Sequence, residues 1–183
     1  MRLFLSGVPG IGKTTIIRDV VKRLRGIKCA GFYTEETRKA GQRTGFQIIT
    51  LDGGKATLAS VSGKRAGPRV GRYKVHIEEF DGLVLSLLEP ETTPADLYVV
   101  DEIGKMELLS PKFIRKLTDL MSQPAHVFGT IAKKGEGLIQ KIKAREDVEL
   151  VEVTAQNRDR LTLQLAERIL NEIAGAVPKK SIE

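Results

Sequence analysis

The sequence predicts an α/β fold: a five-stranded, mainly parallel sheet flanked by helices, with a small antiparallel β insertion. Three observations carry that expectation. A short apolar strand at residues 2–6 runs into Gly7-Val8-Pro9-Gly10-Ile11-Gly12-Lys13-Thr14, and a helical apolar pattern follows it. A second apolar run, Leu97-Tyr98-Val99-Val100, closes on Asp101-Glu102. Between them, residues 37–77 leave the strand–helix rhythm for short alternating segments around an Asp52-Gly53-Gly54 turn signal.

The glycine-rich stretch fits G-x-x-x-x-G-K-[ST] at every fixed position and is a Walker A phosphate-binding loop. Polyphosphate presents closely spaced anionic oxygens, so the loop must turn backbone N–H groups inward without Cβ atoms in the way, which Gly7, Gly10 and Gly12 permit. Lys13 is expected to hold the β- and γ-phosphates and Thr14 to bond Mg²⁺. Val8, Pro9, Ile11 and Thr15 complete the expected nucleotide contact. The helix after the loop carries Ile16, Ile17, Val20, Val21 and Leu24 and stops at Gly26, so its N-terminus faces the phosphates.

At 183 residues the chain reads as one domain over 1–178, followed by a tail at 179–183. A net charge of +7 raises the question of nucleic acid, but the basic residues are scattered and aromatics make up only 5%. Nucleic acid is therefore not the expected main partner. The single cysteine, Cys29, excludes an internal disulfide framework and a cysteine-rich zinc site. His76 and His126 fall in expected strands and read as structural. With no apolar run near 18 residues and a start that leads directly into a strand, the expectation is a cytoplasmic monomer without membrane partners.

Residues 29–34 form the expected second strand, ending on Thr34-Glu35-Glu36. Ligands of open α/β sheets gather at the carboxyl ends of strands, which places Glu35 and Glu36 near the site. Strands at 45–51, 56–61 and 71–77 make the insertion. Its loops hold Arg38, Arg43, Arg65, Arg69 and Arg72, any of which could neutralise charge developing on a transferring phosphoryl group. The basic loop 62–69 matches no motif. A helix over 78–89 and a polar linker over 90–96 lead to the strand ending in Asp101. An apolar run closing on aspartate downstream of a Walker A loop is the Walker B arrangement, in which Asp101 holds Mg²⁺ beside Thr14. Glu102 is placed to orient and deprotonate water, with Glu35, Glu36 and Glu107 as competitors for that role.

The loop Ile103-Gly104-Lys105 should then pass close to the γ-phosphate. Ser110-Pro111 opens a helix with an N-cap and a proline at its first position. Residues 126–131 form the next strand; lying between the two Walker strands, it would let Thr130 sense the γ-phosphate. A helix over 137–145 and a fifth parallel strand over 148–153 follow. The last helix is expected to run from Thr154 to Gly175, with Asn157 offered to a base edge and Arg158 to the base face.

Together with Gly31-Phe32-Tyr33-Thr34-Glu35-Glu36, Asp101-Glu102-Ile103-Gly104-Lys105-Met106-Glu107, Gly129-Thr130-Ile131 and Thr154-Ala155-Gln156-Asn157-Arg158, the Walker A stretch resembles a family of small P-loop nucleoside-triphosphatases. The family is known from thermophilic microbes and, in animals, as cancer-related nucleoside-triphosphatase. The resemblance spans most of residues 1–165. It implies a RecA-like fold, Mg²⁺-dependent hydrolysis of ATP, GTP and other nucleoside triphosphates with broad base tolerance, and nucleotide contacts at 7–14 and 98–105. Two other functions fit the same constellation: a P-loop kinase acting on a nucleotide, nucleoside or polynucleotide, and a nucleotide-controlled module that binds RNA or protein. Phosphoryl transfer is mostly positioning and electrostatics, so catalytic residues alone do not separate them.

Overall fold

The structure, a computed structural model, describes residues 1–62 and 67–176. Arg65 and the tail at 179–183 lie outside the described residues. Five strands, β1 (Arg2–Ser6), β2 (Cys29–Lys39), β7 (Leu97–Ile103), β8 (Val127–Ile131) and β9 (Glu149–Glu152), form the parallel part of the sheet in the order β2-β7-β8-β1-β9. Four antiparallel strands, β3 (Gln42–Thr50), β4 (Lys55–Ser60), β5 (Arg69–Val70) and β6 (Tyr73–Val75), continue it beyond β2 in the order β3-β4-β6-β5.

The five parallel strands match the expectation, and so does the antiparallel character of the insertion. The insertion prolongs the main sheet because β2 does not stop at Thr34. The strand continues to Lys39 and turns back through Ala40 and Gly41, both at positive φ, so that Glu35 pairs with Gln47 and Lys39 with Gln42. Residues 29–32 pair with β7, Phe32 pairs with β3 as well, and 33–39 pair with β3 alone. A half-solvated ribbon accepts the polar run that reads in the sequence as a strand end.

Alternation along each strand divides the core into two layers. On one face, Phe32, Val100, Phe80 and Phe113 pack under α2 (Ile77–Val84) and α3 (Pro111–Ser122). Phe32, Phe80 and Phe113 meet edge to face at 5.1 to 6.1 Å between ring centres. α4 (Leu138–Lys143) adds Ile139 and Ile142 to this face. On the other face, Leu3, Leu5, Val99 and Phe128 lie under α1 (Lys13–Val21) and α5 (Arg158–Ala176), which pack on each other through residues such as Ile17, Val20, Leu165 and Ile169. Among the described residues, no helix is long and apolar enough to cross a membrane.

Several boundaries differ from expectation. The helix expected over 78–89 ends at Val84, and Ser86–Leu88 tighten into a 3-10 turn. The last helix opens at Arg158, because the Asn157 side chain folds back to accept from the Thr154 N–H at 2.8 Å and makes residues 154–157 a turn. His76 precedes α2 with its Nε2 2.9 Å from Ser60 Oγ, and His126 precedes β8 with its Nδ1 3.0 Å from the terminal amine. The cap at Ser110 is as read: its hydroxyl accepts from the Phe113 N–H at 3.0 Å, with Pro111 at the first helical position.

β2 and β7 approach closely at Gly31, which sits at φ +122°. A Cβ there would lie 2.0 Å from the Val99 carbonyl oxygen. Gly31→Ala should therefore lower stability by about 3 kcal/mol or more, since it combines a forbidden dihedral with a backbone clash. Urea denaturation measures it; a loss under about 1 kcal/mol would mean that the two strands are not held at this spacing.

Candidate active site

The loop between β1 and α1 is shaped by two glycines in left-handed conformation, Gly10 at φ +78° and Gly12 at φ +108°. Gly12 immediately precedes α1, and its carbonyl accepts the Ile16 N–H at 3.0 Å. No side chain caps the helix and its first turn holds no acid, so free N–H groups and the positive end of the helix dipole face the loop. Gly7 is wedged against β9, where a Cβ would come within 2.8 Å of the Val153 carbonyl oxygen. The Val153 N–H donates to the Ser6 carbonyl at 2.7 Å. The loop after β9 is thereby set beside the phosphate loop. Lys13 Nζ lies across it, 3.2 Å from the Gly7 carbonyl and 3.5 Å from that of Val8.

β8 lies between β7 and β1, the condition under which Thr130 reaches the site. Its hydroxyl donates to Asp101 Oδ1 at 2.5 Å. The Thr34 N–H points at Oδ2 from 3.5 Å, and the Thr14 side chain faces the same carboxylate. Asp101 is fully buried. Burial pushes its pKa up, while the two hydroxyls, the Thr34 N–H and the Lys13 charge pull against that rise. Thr14 and Asp101 bring hard oxygen donors together at the phosphate loop, a pairing that suits Mg²⁺ completed by phosphate oxygens and water. Among the described residues, no group of three or more histidines, cysteines or carboxylates could form an all-protein cage.

Glu102 follows with its carboxyl partly buried. Burial raises its pKa and Asp101 adds to the rise, while Lys13 opposes it. Glu107 then enters from the 3-10 turn Glu107–Leu109, 4% exposed. Its pKa is pushed up to about 8, first by burial and then by the Glu102 charge. Gly104 makes room for both carboxyls. A Cβ on it would stand 2.6 Å from Glu102 Oε1 and 2.9 Å from Glu107 Oε2.

Other candidates are placed elsewhere. Tyr98 donates its hydroxyl to the Thr93 carbonyl at 2.9 Å, near the end of β7 opposite Asp101, and Val99, Val100 and Ile103 are wholly buried in the two core layers. These four belong to the strand that carries Asp101 and Glu102. Lys105 is exposed. Glu35 binds Arg18 at 2.6 Å, and Glu36 binds Arg38 at 2.7 Å and also Arg43. Arg72 donates to the Arg43 carbonyl at 2.7 Å, and Arg69 to the Arg72 carbonyl at 3.4 Å. The described arginines of the insertion are thus engaged within it. Asn157 uses its amide on the backbone of Thr154 and Glu152, at 2.8 Å each, and Arg158 is exposed beside it. Nothing in the side-chain pattern marks Thr34, whose contact with Asp101 is made by its backbone.

Comparisons with known proteins cover the same stretches. The family model described as NTPase matches residues 2–166. Nucleoside-triphosphatase THEP1 of Thermotoga maritima is 40% identical over 161 residues, covering 88% of this chain and 91% of that protein. Human cancer-related nucleoside-triphosphatase is 40% identical over 174 residues, covering 87% and 91%. The crystal structure of THEP1 from Aquifex aeolicus matches with a TM-score of 0.82 at 33% identity, covering 92% of this chain and 99% of that one. The solution structure of a human cancer-related nucleoside triphosphatase matches with a TM-score of 0.78 at 37% identity, covering 92% and 96%.

The Glu107 carboxyl links stability to pH. Between an ordinary value of 4.5 and about 8, the folded protein keeps a proton that the unfolded chain has released. Its contribution is fully present below the lower value and is lost as pH rises to the higher one. Glu107→Gln should therefore gain in melting temperature relative to the unsubstituted protein between pH 5 and pH 8. The same difference at both pH values in thermal melts would contradict a buried, proton-bearing Glu107.

Proposed function

The chain belongs to the nucleoside-triphosphatase family that this model and these relatives define, and from that premise we propose an Mg²⁺-dependent hydrolase. Its substrates are ATP, GTP and other nucleoside triphosphates, which it converts to the diphosphate and phosphate with little regard for the base. One observation carries the reading: Thr14, Thr130 and Thr34 converge on the buried Asp101 carboxylate, with Lys13 and Glu102 beside it.

In this reading the Lys13 amine exchanges the Gly7 and Val8 carbonyls for β- and γ-phosphate oxygens, and the loop N–H groups bond the same oxygens. Mg²⁺, held by the Thr14 hydroxyl and Asp101, would neutralise charge on the phosphate oxygens. Glu102 orients a water and accepts its proton as the water oxygen bonds to the γ-phosphorus and the bond to the bridging oxygen breaks. Thr130 keeps Asp101 in place from the neighbouring strand. Base tolerance is supported by what surrounds the loop after β9. The Asn157 amide is committed to backbone, and Arg158 offers a guanidinium plane on which any base can stack.

Phosphate release from each common nucleoside triphosphate, with Mg²⁺ and no acceptor, tests the proposal. Steady multiple turnover is expected. Glu102→Gln should keep nucleotide binding and lose turnover by about 100-fold or more, and Lys13→Ala should weaken both. Turnover by Glu102→Gln equal to that of the unsubstituted protein would remove the assignment of Glu102. Tight nucleotide binding without phosphate release by the unsubstituted protein would remove the hydrolase.

A further inference from the structure

Glu107 is a buried carboxyl for which the reaction above has no use, yet its surroundings are specific. The N–H groups of Gly104 and of Glu107 itself face it and work against the rise in its pKa. The turn that carries it is closed by the Leu108 N–H on the Gly104 carbonyl at 3.1 Å and by the Ser110 N–H on the Glu107 carbonyl at 3.1 Å. Ser110 is anchored in turn, its hydroxyl donating to Asp81 of α2 at 2.5 Å. Glu107 is therefore fixed from both sides. Over the Cα of Gly104 its carboxyl lies on the same side as that of Glu102, each with an oxygen within 3 Å of the point a Cβ would occupy.

The charges facing this carboxyl come from one strand. β7 supplies the carboxyls of Asp101 and Glu102. α2 supplies Asp81, which is occupied by Ser110. α3 turns Phe113 inward, leaves Lys112 and Arg115 exposed, and pairs Lys116 with Glu89. Among the described residues, no cation pairs with Glu107. A second carboxylate this close to Glu102 would repel both it and an incoming polyphosphate.

We propose that Glu107 is a positioning residue for the hydrolytic step: buried against the Gly104 turn on the same side as Glu102, it holds the Glu102 carboxyl in place beside the phosphate site. The inference rests on the reading of Glu102 as the residue that positions water. It separates two carboxyls of one loop into different roles by their surroundings, which is how acid and base assignments arise within a single site. The high pKa of Glu107, about 8, agrees with it and sets where the arrangement should fail.

The test is the pH dependence of kcat and KM for ATP hydrolysis between pH 6 and pH 9.5, in the unsubstituted protein, Glu107→Gln, Glu107→Ala and Glu102→Gln. The proposal predicts that kcat of the unsubstituted protein falls above about pH 8, by roughly 30-fold at pH 9.5, the loss expected from a single ionisation about 1.5 units below that pH. That alkaline fall should be absent in Glu107→Gln, which cannot ionise. Glu107→Ala should lose about tenfold or more in kcat at pH 7 with little change in KM, as an interaction acting on the chemical step requires, and Glu107→Gln should restore most of it. The same alkaline fall in Glu107→Gln, or losses in the alanine variant confined to KM, would overturn the proposal. If Glu107→Ala does not fold, the shape of the glutamine profile decides alone. Full turnover by Glu102→Gln would instead show that the underlying reading of Glu102 had failed, an outcome separate from the shape of the Glu107→Gln profile.

Discussion

A carboxylate with no exposure to water holds the candidate site together. Asp101 receives the hydroxyl of Thr130 and faces the Thr14 side chain and the N–H of Thr34. Those three partners come from the start of α1, from β8 and from β2, while Asp101 itself ends the apolar run of β7. An isolated buried anion is very unfavourable, so the fold must deliver all three donors together. The strand order β2-β7-β8-β1 does this, because it places the carriers of Thr34 and Thr130 on either side of Asp101 and the Thr14 helix one strand further on.

The close strand contacts follow from that requirement. Gly31 in β2 and Gly129 in β8 each lack a Cβ where one would meet a β7 carbonyl, that of Val99 at 2.0 Å and that of Val100 at 2.1 Å. On either side of Asp101, then, a neighbouring strand is drawn in against β7. The aromatic layer of Phe32, Phe80 and Phe113 beneath one face and the aliphatic layer under α1 and α5 on the other fix the height of the sheet between its helices. Packing thereby becomes electrostatics, since small shifts of β7 would separate Asp101 from its donors.

Much of this was legible in the sequence, and for identifiable reasons. The Walker A loop has fixed residue types because each performs a distinct task, and Asp101-Glu102 stood out as acids closing an apolar strand. The five parallel strands were readable as buried apolar runs. The continuation of β2 was not, because Thr34 to Lys39 is polar on both faces and a half-solvated ribbon has no hydrophobic period to read. The arginines of the insertion looked free in a linear reading; the ion pairs that engage them, such as those of Arg38 and Arg43 with Glu36, depend on hairpin register. Glu107 could be picked out as an acid near the loop, but its distinction from Glu102 is a matter of burial and of the space above Gly104, which only folding creates.

The most direct test of Asp101 as the organising group is the Mg²⁺ dependence of phosphate release in Asp101→Asn, measured alongside a check by circular dichroism that the protein is folded. Asparagine keeps the shape and part of the hydrogen bonding and removes the charge. The account predicts a folded protein whose turnover falls by at least about 100-fold at Mg²⁺ levels that saturate the unsubstituted protein, as expected when a group that fixes charge stabilisation in the transition state is lost. Turnover at the unsubstituted rate with the same Mg²⁺ dependence would contradict it.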